Sequence, residues 1–81
     1  MTTTNMNRNI AFRLLSQSPE ALRAFADMAS RKDIIAYCVW NDPNGCWTDK
    51  DCKLEFGRPS ETETLRAIVR SWADDHANGV T

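Results

Sequence analysis

Ile34-Ile35-Ala36-Tyr37-Cys38-Val39-Trp40, followed by Asn41-Asp42-Pro43-Asn44-Gly45 and then Cys46-Trp47-Thr48, is the stretch on which the fold turns. Seven consecutive apolar residues, rich in types that favour extended backbone, predict a strand buried on both faces. The Asn/Asp/Pro/Gly cluster suits a hairpin connection, so Cys46-Trp47-Thr48 is expected to return antiparallel to that strand. A five-residue loop sets Trp40 opposite Cys46 and Cys38 opposite Thr48; a four-residue loop puts Cys38 and Cys46 on opposite faces. Working outward, Cys52-Lys53-Leu54-Glu55-Phe56 alternates, which predicts a third strand with one wet and one dry face, ended by Gly57-Arg58-Pro59.

Helices flank the predicted sheet. Asn9 to Gln17 has helical patterning, with Ile10, Ala11 and Leu14 on one side and Phe12 and Leu15 beside them. The polar residues 1–6 before it are expected to be flexible. In Ser18-Pro19-Glu20, serine suits the N-cap, proline the first helical position and glutamate the positive end of the dipole. Leu22, Phe25, Ala26 and Ala29 then predict a helix from Pro19 to about Arg31. Ser60-Glu61-Thr62-Glu63 reads as a capping box opening a helix over 60–77. Leu65, Ile68, Val69 and Trp72 would face the sheet, Arg66 would lie outside, and Asn78-Gly79 supplies the stop. The expected fold is a single α+β domain over residues 1–81 in the order α-α-β-β-β-α, an antiparallel hairpin or meander packed against helices.

Composition narrows the function classes. A content of 42% hydrophobic and 26% charged residues belongs to a folded chain rather than a disordered one. No apolar run approaches the roughly 20 residues that cross a bilayer, and Met1-Thr2-Thr3-Thr4-Asn5 lacks the basic-then-apolar order of a signal peptide. A cytoplasmic location, with no membrane association, is expected. The net charge of −1 excludes a strongly basic nucleic-acid binder and a heavily acidic nucleic-acid mimic. Its distribution is uneven: residues 1–32 hold five bases against two acids, and residues 33–81 five bases against nine acids. An acidic C-terminal part can be steered toward a basic surface on a larger partner.

Chemical motifs are absent. Cys38, Cys46 and Cys52 are an odd set, against a secreted disulfide framework. With His76 they are a conceivable zinc site, but their spacing contains no close pair such as C-x2-C. They read better as buried thiols, and no metal or cofactor is expected. His76 lies near a helix end with no serine or acid placed to work with it, so the chain is not expected to be an enzyme. Two helices joined at Ser18-Pro19 have the outline of a helix-turn-helix, yet the second lacks a dense basic face, and no basic residues interleave with Tyr37, Trp40 and Trp47. Asp74 and Asp75 break a local rule, since acids are disfavoured in the last turn of a helix.

A strand apolar on both faces leaves one face that three short helices cannot cover, and a monomer rarely exposes such a patch. The expected partner-binding surface is therefore the hairpin with Tyr37, Trp40, Asp42, Trp47 and Asp49, together with Asp51 and Glu55. This is an aromatic anchor ringed by acids, suited to a basic partner or a second copy. In size and helix-plus-hairpin format the whole chain resembles small proteins encoded by phages and mobile elements, anti-CRISPR proteins among them. That resemblance rests on format, with no signature residue. It implies a stoichiometric inhibitor that occupies a host nucleoprotein defence complex and blocks nucleic-acid binding, the acids near the hairpin standing in for phosphate. The alternative is a small phage regulatory protein that binds DNA or a transcription component.

Overall fold

The computed structural model describes residues 2–79, and the side chains of 9–79. Its elements are five helices: α1 (Thr2–Ser16), α2 (Pro19–Met28), α3 (Arg31–Asn41), α4 (Asp49–Phe56) and α5 (Thr62–Ala77). No strand occurs among the described residues. The α+β expectation is overturned, and with it the hairpin, its register and the meander. The expected flexible segment 1–6 starts at Met1, outside the described residues, whereas α1 begins at Thr2.

The run 34–40 is the core of α3. Ser30 opens this helix, its Oγ accepting from the Asp33 backbone N–H at 3.2 Å, and Asp33 lies in the positive first turn. That cap moves the start back to Arg31 and makes an eleven-residue helix of what reads alone as a seven-residue strand. Ile34, Tyr37 and Cys38 are fully buried at i, i+3 and i+4, while Ile35, Ala36 and Trp40 are partly buried around them. The segment 34–40 is apolar throughout; α5 and α1 cover most of it, while Val39 stays exposed. Buried packing overrides the β preference of its side chains.

The third predicted strand is likewise a helix. Thr48 Oγ1 accepts from the Asp51 N–H at 3.1 Å, Asp49 and Asp51 occupy the first turn, and Gly57 closes the end at φ 85°, where a side chain would be strained. The Asn/Asp/Pro/Gly segment does turn the chain, but between two helices. The Asp42 carbonyl accepts from the Gly45 N–H at 3.1 Å and from Trp47 Nε1 at 2.6 Å. Gly45 is needed there for space, since a Cβ would come within 2.5 Å of the Trp47 ring nitrogen.

Helices α2 and α5 form the antiparallel backbone of the bundle. Ser18 caps α2 as expected, accepting from Ala21 N–H at 3.2 Å, with Pro19 in the first turn. The helix ends at Met28, three residues short of Arg31, because Ser30 caps the next one. Leu22 and Ala26 meet a face of α5 that buries Leu65, Val69 and Ala73, with Ile68 and Trp72 half-buried. The core face of α5 is read correctly from its spacing, but it packs on helices rather than on a sheet. Arg23 donates to Asp74 at 2.7 and 3.0 Å, and Arg70 to Asp27 at 2.7 Å. The anomaly of Asp74 is thus resolved inside the molecule. Arg66 is not an outer residue either, because its guanidinium donates at 2.8 Å to the Ala26 carbonyl, one of the last carbonyls of α2.

The predicted capping box does not form. The N-cap of α5 is Glu61, with no side-chain cap bond, and Ser60 is used elsewhere. Its Oγ meets Cys52 Sγ at 3.2 Å, and its carbonyl accepts from Arg31 at 2.7 Å. Arg31 also reaches Thr62 Oγ1 at 2.9 Å and Asp49 at 2.6 Å, so one guanidinium ties together the starts of α3, α4 and α5. Only a planar fork with several donors can span three such acceptors.

Candidate functional site

Six aromatic side chains run through the bundle. Tyr37 is the hub, with ring centroids 5.3 Å from Phe12, 5.5 Å from Phe25, 5.7 Å from Trp40 and 6.2 Å from Trp72. Trp47 continues the cluster edge-on against Trp72 at 5.7 Å. Aromatic pairs at such separations add to the burial of their area. Two of the three aromatics expected to anchor a partner therefore pin the loop and α3 to the core while remaining half-buried, and the third, Tyr37, is at 0% exposure. Its hydroxyl is buried without a hydrogen-bond partner among the described residues, and burial pushes its pKa up to about 12, with a smaller contribution from Cys38.

The acids separate into two groups. Asp42 is half-buried in the loop, and Asp49 is engaged by Arg31. Asp51 and Glu55 are exposed, lie one turn apart on α4, and have no ion-pair partner among the described residues. Leu54 shares their face at i+3 from Asp51 and is 77% exposed; Phe56, on the opposite side, is 67% exposed. Of the eight residues of α4, only Cys52 is buried. These two apolar side chains were missed as surface features because the alternating reading put them on the dry face of a strand. The signal that finds them is Thr48-x-x-Asp51 followed by a left-handed Gly57.

The cysteines are free thiols in three environments. Cys38 is in the core, its pKa pushed up to about 11 by burial and then by Asp42. Cys46 is raised by desolvation first, then by Glu55, Asp51 and Cys52. Cys52 donates toward the Cys46 carbonyl at 3.2 Å. A raised pKa keeps a thiol protonated and a poor nucleophile. His76 is exposed in the last turn of α5. Among the described residues no three of His, Cys, Asp or Glu gather to hold a metal ion.

Two apolar grooves flank Phe12, the one described α1 side chain that is buried. One, between α1 and α2, is lined by Ala11, Leu14, Leu15, Ala21 and Phe25. The other lies between α1 and α3, with a floor of Phe12, Ile35, Val39 and Trp40, Lys32 at its rim and Thr48 at one end. Ile10 and Leu14 are more than half exposed along α1.

Among the described residues no helix is long and apolar enough to cross a membrane. No family model matches the chain, and no curated protein or solved structure resembles it significantly.

Proposed function

We propose that the chain is a non-enzymatic binding protein, and that α4 with the loop before it is its docking face. The partner is a protein or ribonucleoprotein complex of the host with a basic surface, met in the host cytoplasm. The observation that carries this reading is the exposure of α4: seven of its eight residues face solvent, including Leu54 beside the carboxylates of Asp51 and Glu55, which have no ion-pair partner among the described residues. An apolar side chain that can be desolvated, set among acids, combines contact area with steering toward lysines and arginines. Carboxylates in that position compete for groups that normally hold phosphate, which is how an inhibitor of the anti-CRISPR type would act.

The direct DNA-binding alternative loses support from the same geometry. Arg23, the one base on α2, is held by Asp74, so α2 offers no free basic face for a groove. The test is affinity capture from the native host, followed by a nucleic-acid binding assay on the captured complex. The wild-type chain should displace nucleic acid from that complex, and a variant with Asp51→Lys and Glu55→Lys should not. Equal displacement by both proteins would remove α4 from the interface.

A further inference from the structure

We infer that the α4 face also docks on a second copy of this chain, as a reciprocal two-fold dimer in which α4 of each protomer enters the α1–α3 groove of the other. The inference rests on the reading of α4 as a docking face and adds a second occupant for it. Three observations point to it.

The first is chemical complementarity within one molecule. The groove has an apolar floor of Phe12, Ile35, Val39 and Trp40 and a volume of about 440 Å³, enough for a leucine-sized side chain with room to spare. Leu54 is the most exposed apolar residue of α4. The second is charge. The rim of the groove carries Lys32, exposed and without an ion-pair partner among the described residues, while Leu54 is flanked by Asp51 and Glu55 in the same unpaired condition. Apolar floor meets apolar knob, and cation meets carboxylate. The third is placement. Thr48 both ends the groove and caps α4, so the groove runs up to the start of the helix that carries the knob. A two-fold axis passing beside Thr48 presents each to its counterpart, forming both contacts at once and closing the assembly at two copies. The other groove does not offer this pairing, since no cation is among its lining residues.

A consequence is competition. Self-association covers Leu54, Asp51 and Glu55, so a basic partner must displace the second copy to reach them.

Sedimentation of the purified protein as a function of concentration tests the dimer with no partner present, so its failure is separate from failure of the capture assay. Wild type should pass reversibly from monomer to dimer, more weakly as salt rises. Lys32→Glu and Glu55→Lys should each raise the dissociation constant about tenfold or more, and the two together should return it to near wild type, since the pair is restored with its sign reversed. Leu54→Asp should leave a monomer. Circular dichroism should show an unchanged fold for all four proteins, because each altered side chain is exposed. A wild-type protein that stays monomeric at millimolar concentration would overturn the inference. So would a dimer indifferent to these substitutions, or a double variant no tighter than either single one.

Discussion

Replacing Tyr37 by phenylalanine should make this protein more stable, although the residue is wholly buried at the centre of the aromatic cluster. The ring keeps its four aromatic neighbours in the variant, and only the hydroxyl is lost. That hydroxyl is buried with no hydrogen-bond partner among the described residues, a condition that costs roughly 1–3 kcal/mol of desolvation. Against it stands the small void left by one oxygen, at roughly 24 cal/mol per Å³, which returns only a few tenths of a kcal/mol. The net gain is about 1–2 kcal/mol, and at roughly 4–8 °C per kcal/mol for a domain of this size the melting temperature should rise by about 5–10 °C. The same burial is visible spectroscopically. Tyr37 is the only tyrosine in the chain, so the phenolate absorbance reports on it alone and should titrate near 12 in the folded protein against 10.0 when unfolded. The linked stability has a definite sign. Below pH 10 the phenol is protonated in both states and the contribution is complete. Above it the unfolded chain ionises first and folding weakens, by about 2 kcal/mol at pH 12. Thermal and urea melts of wild type and Tyr37→Phe across alkaline pH check both halves. A melting temperature lowered by several degrees in the variant, or a phenol that titrates near its ordinary value, would show that the hydroxyl has a partner or reaches water and would refute the reasoning.

Other perturbations should divide as follows. Cys38 shifts from 9.0 to about 11 in the direction that also favours folding at low pH, so loss of stability should begin near pH 9, and Cys38→Ala should flatten that early limb of the alkaline unfolding curve. Arg31→Ala should cost about 1–3 kcal/mol in urea melts and loosen α4, seen as faster amide exchange over residues 49–56; Arg31→Lys should recover only part, because an ammonium cannot span Asp49, Thr62 and the Ser60 carbonyl. Leu65→Ala should cost about 2–5 kcal/mol and Arg66→Ala about 1–2 kcal/mol, the second by stranding the Ala26 carbonyl; a silent Arg66→Ala would count against that contact. Gly45→Ala should displace Trp47 and cost about 1–3 kcal/mol, with a change in tryptophan emission as the indole leaves the Asp42 carbonyl.

The helices whose signals agree with one another were legible. In α2 the Ser18-Pro19-Glu20 start and the Leu22/Ala26 spacing point the same way, and in α5 the i, i+3, i+4, i+7 face is long enough to exclude a strand. The misreading of 34–56 has a physical cause. A short apolar run has no periodicity of its own, so a central helix and a doubly covered strand look alike, and β-branched and aromatic side chains tip the reading toward the strand. What decides the matter is outside the run, in polar residues whose caps add only about 1 kcal/mol each: Ser30 before Arg31, Thr48 before Asp49 and Gly57 after Phe56. Ser60-Glu61-Thr62-Glu63 failed in the opposite sense. Its local pattern was right for a cap, but Ser60 is drawn to Cys52 and Arg31, contacts at separations of 8 and 29 residues that no local pattern contains.

The same cause shaped the reading of the surface. A strand apolar on both sides implies an unfilled second face; as a helix, that segment packs its apolar side chains mainly against α5 and α1, and most of the excess disappears into the core. The apolar surface that remains lies where alternation had counted it as buried, at Leu54 and Phe56 on α4, and on α1 at Ile10 and Leu14. The acids fared better because charge does not depend on secondary structure in the way that facing does. Asp51 and Glu55 stand four residues apart, which puts them on one face of a helix and on one face of a strand alike, and both are exposed. Leu54 is the residue that changes sides: opposite them in a strand, beside them in a helix. An acidic face next to the fold was therefore visible in the sequence, whereas the apolar knob on which the proposed docking face rests required knowing that Thr48 starts a helix.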